Sequence, residues 1–127
     1  MTLFDECKEA LSADFNIVAP EGLMEVMDIF NKYPLHNGNI LWSSVDFKDY
    51  DTADALLDED ILGTASAFVI ADDASIPVFR TNFNLVLENI YDVMAICPKI
   101  FIFNDDVILH PLFPTDMIRL GVRVKSN

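Results

Sequence analysis

Leu3, Cys7, Ala10 and Leu11 fall on one helical face, so residues 3 to 13 are predicted to form a short amphipathic helix. Thr2 stands where an N-cap is wanted, and Asp5 and Glu6 follow in the first turn, where free N–H groups favour acids. A brief extended piece from Phe15 to Val18 stops at Pro20. Leu23, Val26, Met27 and Phe30 then mark the buried stripe of a second helix from Glu21 to Tyr33, with Glu25, Asp28, Asn31 and Lys32 facing water. Pro34 and an Asn37-Gly38 turn end it, and Asn39 to Trp42 reads as a first strand.

The second half is more regular. Ala67 to Ala71 and Ile76 to Thr81 read as a pair of strands around Asp72-Asp73-Ala74-Ser75, with Pro77 restricting the second to an edge or an irregular start. Thr81 or Asn84 can cap a helix running to Ile96. Its polar stripe of Asn84, Glu88 and Asp92 is one residue wide, so most of its surface is expected to be buried. Beyond Pro98, Ile100 to Phe103 and Val107 to His110 form a tight hairpin around Asn104-Asp105-Asp106. Ile118, Leu120, Val122 and Val124 alternate with Arg119, Gly121, Arg123 and Lys125, which predicts a last strand with one apolar and one basic face. The order of elements implies a single α+β domain spanning the 127 residues: a mixed or antiparallel sheet with two hairpins, flanked by three to four helices.

Residues 43 to 63 break this regularity. Asp46, Asp49, Asp51, Asp54, Asp58, Glu59 and Asp60 crowd there against one base, Lys48, with Val45, Phe47, Tyr50, Ala53, Leu56 and Leu57 interleaved. The pattern suits a loop and a short helix lying on the domain with an acidic side in water. Composition sharpens this. The chain has 21 acids and 8 bases, a formal net charge of −13, yet 52% of its residues are hydrophobic and 10 are Phe, so it closes a core rather than staying disordered. Such a surface repels nucleic acid and anionic membrane and attracts basic proteins. The N-terminus is acidic where a signal peptide needs a basic start, and no apolar run reaches the length of a membrane span, so a cytoplasmic protein is expected. Cys7 and Cys97 have no metal-ligand or CxxC spacing and read as buried thiols.

Catalytic signatures are missing. The two histidines, His36 and His110, sit at a predicted turn and a strand end; 4 glycines allow no phosphate loop, and no nucleophile elbow is present. A calcium loop begun at Asp49 would need glycine at its sixth position, where Asp54 stands, and Glu at its twelfth, where Asp60 stands. No metal and no cofactor are therefore expected. Asp72-Asp73 and Asp105-Asp106 are explained as turn residues. What remains is a docking surface for Lys and Arg at 46 to 60, with Trp42, Phe47 and Tyr50 as apolar anchors.

The stretches Ile76-Pro77-Val78-Phe79-Arg80-Thr81-Asn82-Phe83-Asn84-Leu85-Val86-Leu87-Glu88-Asn89-Ile90-Tyr91-Asp92-Val93, Phe103-Asn104-Asp105-Asp106-Val107-Ile108 and Pro111-Leu112-Phe113-Pro114, with the opening Met1 to Leu11, resemble immunity proteins of bacterial contact-dependent growth inhibition systems. The likeness spans most of the chain and is weakest from Pro34 to Gly63. It implies a protein that binds the toxic C-terminal domain of a delivered effector inside the cell and blocks it. Many such toxins are nucleases, which are basic because their substrates are anionic. The expected partner is thus a cognate basic toxin domain, met by a non-enzymatic monomer. Its contact is expected at Asp46, Phe47, Asp49, Tyr50, Asp51, Asp54, Asp58 and Asp60, together with Asp72 and Asp73. An acidic chaperone or regulator of another basic protein is the alternative.

Overall fold

The computed structural model describes residues 2–123. The first helix, α1 (Leu3–Ala10), starts at Thr2 as the sequence implies: the Asp5 amide donates to Thr2 Oγ1 at 3.0 Å and the Thr2 amide to Asp5 Oδ2 at 3.2 Å, a reciprocal cap. It ends earlier than residue 13 because a 3₁₀ turn (Ser12–Asp14) follows, where Arg80 and Asn82 both hold the Asp14 carboxylate. A two-residue strand, β1 (Asn16–Ile17), leads to α2 (Pro20–Phe30), whose first position takes the proline that has no N–H to lose. The Asn37-Gly38 turn, both residues at positive φ, closes a small hairpin of β2 (Leu35–His36) and β3 (Asn39–Ile40). The strand expected from Asn39 to Trp42 stops at Ile40 instead, and Trp42–Ser44 is a 3₁₀ turn.

Asp46 to Tyr50 is a strand, β4, rather than a loop, and it is followed by α3 (Ala53–Glu59), capped by Thr52. The strand escaped detection because its two faces read Asp-Lys-Tyr and Phe-Asp, with no clean apolar alternation; a neighbour's charge, described below, completes the pattern. Then come β5 (Ser66–Ala71) and β6 (Phe79–Asn82), which starts beyond Ile76 and Pro77. The expected helix to Ile96 is two short ones, α4 (Phe83–Glu88) and α5 (Ile90–Met94). The break is at Asn89, whose backbone leaves the helical region (φ −124°, ψ 35°) while its amide and its side-chain Nδ2 both donate to the Leu85 carbonyl, at 3.1 and 2.9 Å, and close the end of α4. The cap is Asn82, not Thr81 or Asn84, with Oδ1 accepting from the Leu85 amide at 3.0 Å; Thr81 points into the core instead. The hairpin β7 (Ile100–Phe103) and β8 (Val107–Pro111) and the last strand β9 (Ile118–Val122) follow; Val124 and Lys125, placed on that strand from sequence, lie outside the described residues.

Seven of the strands form one antiparallel sheet in the order β1-β6-β5-β7-β8-β9-β4, and β2-β3 stands apart. The fold is α+β. On one face α1, α3, α4 and α5 bury Leu11, Leu56, Phe83 and Val86 against Val69, Ile102, Leu109 and Ile118. On the other, α2 and the small hairpin bury Val26, Phe30 and Ile40 against Phe101, Phe103 and Ile108. Strict alternation along β7 assigns Ile100 and Ile102 to the first layer and Phe101 and Phe103 to the second. Cys7 and Cys97 are both free and buried, and burial pushes the Cys7 thiol up to about 11. No helix among the described residues is long and apolar enough to cross a membrane.

Candidate functional site

The order of strands makes β4 an edge of the large sheet, and the short α3 hangs from its end. Seven of the chain's 21 acids therefore gather along one margin of the molecule. Asp46, Asp51, Asp54, Asp58 and Asp60 are exposed there, and among the described residues none of the five makes a side-chain hydrogen bond or ion pair. The other two are engaged. Glu59 accepts from Tyr50 Oη at 2.7 Å and from Lys48 Nζ at 3.4 Å, and the Tyr50 bond is the main cause of its lowered pKa. Asp49 faces Arg119 across the β4–β9 ladder and accepts two bonds from its guanidinium, at 2.8 and 3.1 Å, which hold its carboxyl below the usual range.

Tyr50, expected as an anchor, is 7% exposed and belongs to the core, where burial and the Glu59 carboxylate raise its hydroxyl to about 12. Phe47, by contrast, is 44% exposed, on the opposite face of β4. Arg119 lies 4.2 Å above its ring and 5.2 Å from the Trp42 ring, and the two rings meet edge-on at 5.7 Å. Trp42 stacks in turn at 6.1 Å on His110, which stacks at 4.7 Å on Phe101. Arg119 and His110 were not foreseen at the site. The basic face of the last strand held the clue, since a cation beside clustered acids finds a carboxylate.

Gly121 makes this platform possible. It faces Phe47 across the ladder, and a Cβ there would lie 2.9 Å from Trp42 Cζ3 and 3.0 Å from both Ile108 Cγ2 and Val45 Cγ1. An isolated glycine inside a strand signals such close approach. Gly121→Ala is expected to cost about 1–3 kcal/mol by overpacking. Because Trp42 is the only tryptophan, its displacement should change the emission spectrum of the folded protein; an unchanged spectrum with unchanged melting would refute the packing role.

His110 adds a pH response. Burial lowers its pKa, opposed by the bond from Nδ1 to the Ile100 carbonyl at 3.0 Å; because that oxygen can only accept, Nδ1 carries the proton of the neutral ring. Arg119 and Lys99 lower it further. The folded state thus binds this proton less well than the unfolded chain, whose imidazole titrates near ~6.5, so the stabilisation is complete above that value and drains as the pH falls through the folded pKa. The parent should lose more melting temperature between about pH 7.5 and 5 than His110→Gln, which keeps a donor for Ile100 and cannot titrate. Parallel losses would exclude His110 as the source.

Asp72 and Asp73 are not brought to this margin. They follow β5, four strand spacings from β4, or about 19 Å. Asp72 pairs with Lys99 at 3.9 Å, and Asp73 Oδ1 accepts from the Ser75 amide and hydroxyl at 2.9 and 2.7 Å, as a turn aspartate does. No group of three or more His, Cys, Asp or Glu among the described residues is arranged to hold a metal ion.

Residues 1–121 match the family described as CdiI immunity protein EcoliA0-like. The chain belongs to that family. No curated protein matches it. The match takes in all seven strands of the large sheet as far as Gly121 in β9, so the acidic margin of this immunity protein is carried by a family fold rather than by an appended segment. Membership also agrees with the resemblance seen in the α4–α5 stretch and the β7–β8 hairpin.

Proposed function

We propose that this immunity protein neutralises the C-terminal toxin domain of a contact-dependent growth inhibition effector by binding it in the cytoplasm, as a monomer and without turning over a substrate. The acidic margin is the docking face. Exposed carboxylates on Asp46, Asp51, Asp54, Asp58 and Asp60 draw in a basic surface, and Phe47 supplies an apolar contact braced by Arg119. Asp49 and Tyr50 serve this face from behind: one fixes Arg119, the other ties α3 to β4 through Glu59. Asp72 and Asp73 lie outside it. The single observation that supports this most is five unengaged carboxylates on one margin of a chain carrying −13 overall. A toxin that must bind an anionic polymer is cationic, so we infer a nuclease as the target. Fast capture and slow release are what an antidote needs, and charge complementarity supplies the first.

The test mixes the purified protein with the toxin domain encoded immediately upstream. A one-to-one complex and loss of the toxin's nuclease activity are expected. Failure to bind in dilute buffer, or turnover of a substrate by the protein alone, would overturn the reading.

A further inference from the structure

A trough on the helical side of the molecule is built differently from the acidic margin. Its first hollow, about 140 Å³, lies between the start of α3, α4, α5 and the β8–β9 loop. Leu87 and Ile90 are buried beneath it, and Asp54, Glu88 and Asp116 stand exposed around it. A second hollow of about 260 Å³ shares Tyr91, Met94 and Asp116 with the first and is walled by Phe113 and Pro114. Two large aromatics stand out into water here, Tyr91 at 69% and Phe113 at 59% exposure. No base lines either hollow, and among the described residues Asp54, Glu88 and Asp116 make no side-chain hydrogen bond or ion pair. Elsewhere carboxylates near the sheet find partners: Asp14 has Arg80, Asp49 has Arg119 and Asp105 has Lys32.

We propose that this trough receives an arginine side chain of the toxin domain, with an apolar neighbour of that arginine resting on Phe113. The proposal depends on the toxin-binding reading above. Size comes first. A cavity of roughly 150 Å³ holds a benzene-sized group, whereas small-molecule sites run from about 300 to 1,000 Å³. The first hollow therefore suits one side chain. Its chemistry then selects which one. An apolar floor with an unpaired anionic rim suits a side chain with an apolar stem and a cationic head. An exposed tyrosine ring favours a planar guanidinium, which stacks, over a strongly hydrated ammonium. Carboxylates around it offer the paired acceptors that a guanidinium fork fits. Asp54 belongs to both the trough and the acidic margin, so one partner can cover the two without a gap.

The two regions should act on different rates. Exposed charges at the margin set the speed of encounter, while a desolvated anchor in a pocket sets the lifetime of the complex. Binding to the upstream-encoded toxin domain is measured at about 0.15 M salt, where the screening length is about 8 Å. Tyr91→Ala, and separately the pair Glu88→Gln and Asp116→Asn, should each raise the dissociation rate about 30-fold with little change in association. All three side chains are exposed, so the melting temperature should hold; the carboxylate pair keeps the test alive if Tyr91→Ala folds poorly. A scan of toxin surface arginines and lysines to Ala should find one arginine whose effect disappears in the Glu88→Gln, Asp116→Asn background. If the parent protein forms no complex, the immunity reading falls and this inference with it. If the parent binds and both variants dissociate within about two-fold of it, this inference alone is overturned, as it is if the coupled toxin residue proves to be a lysine.

Discussion

Converting Asp51, Asp54, Asp58 and Asp60 together to Asn should slow association with the toxin domain by about 10- to 100-fold in dilute buffer, with the fold intact. The change removes four negative charges of a net −13, all from the side we assign to the partner. None of the four carboxylates has a hydrogen-bond or ion-pair partner among the described residues, so no internal contact is lost. Asp60 has a φ of 51°, in the left-handed region, and Asn is among the few residues that sit there readily. Asp49 is left out by design: its charge belongs to Arg119, and removing it would disturb Phe47 and Trp42 instead of the field. The difference between parent and variant should shrink as salt rises, because the screening length falls to about 3 Å at 1 M. Stopped-flow association across a salt series reads this directly. Equal rates for parent and variant at the lowest salt would remove the acidic margin from the docking face.

Phe103→Ala carries the largest expected effect on stability, about 3–5 kcal/mol, which is a large part of the 5–15 kcal/mol typical of a domain. The side chain is 0% exposed and packs against Phe30 at 5.0 Å and Phe68 at 6.1 Å between ring centroids. It sits in the thinner of the two layers, where α2 and the β2–β3 hairpin are held by a small aromatic cluster. Truncation leaves a ring-sized void that Phe30 cannot fill alone, since Phe30 also packs on Phe101 at 5.4 Å. The midpoint should drop by about 10–20 °C. Hydrogen exchange in α2 should quicken before exchange in β7, because the helix depends on this patch whereas the strand keeps its ladders to β5 and β8. A fall under about 1 kcal/mol would mean that the second layer is held by something other than this cluster.

Much of the chain announces itself through local chemistry. The Thr2 cap, the α2 stripe ending at Phe30, the Asn37-Gly38 turn and the β7–β8 hairpin follow from residue types and spacing, because caps, periodicity and positive-φ turns act over a few residues. Where several residues could do one job, the sequence leaves the choice open. Thr81, Asn82 and Asn84 can all cap a helix; Asn82 does so because Asp14, 68 residues away, also takes its amide. Asn89 could have stayed in a continuous helix, yet its backbone turns out of the helical region, with its side chain closing on the Leu85 carbonyl.

For the site, residue order alone establishes that the acids between Asp46 and Asp60 cluster, that the chain carries −13, and that no catalytic motif is spelled out. It could not show that β4 is a strand, since half of that strand's pattern resides on β9: Asp49 is explained by Arg119, and Phe47 by Gly121 and Trp42. Nor could it show that Tyr50 turns inward, that Asp72 and Asp73 lie four strands away, or that Tyr91 and Phe113 border one trough with Asp116. Local propensity is a property of neighbours in the chain, whereas which carboxylates are neutralised and which remain free depends on pairings between segments far apart in it. Those pairings are set by the antiparallel register, and only the folded sheet brings them together.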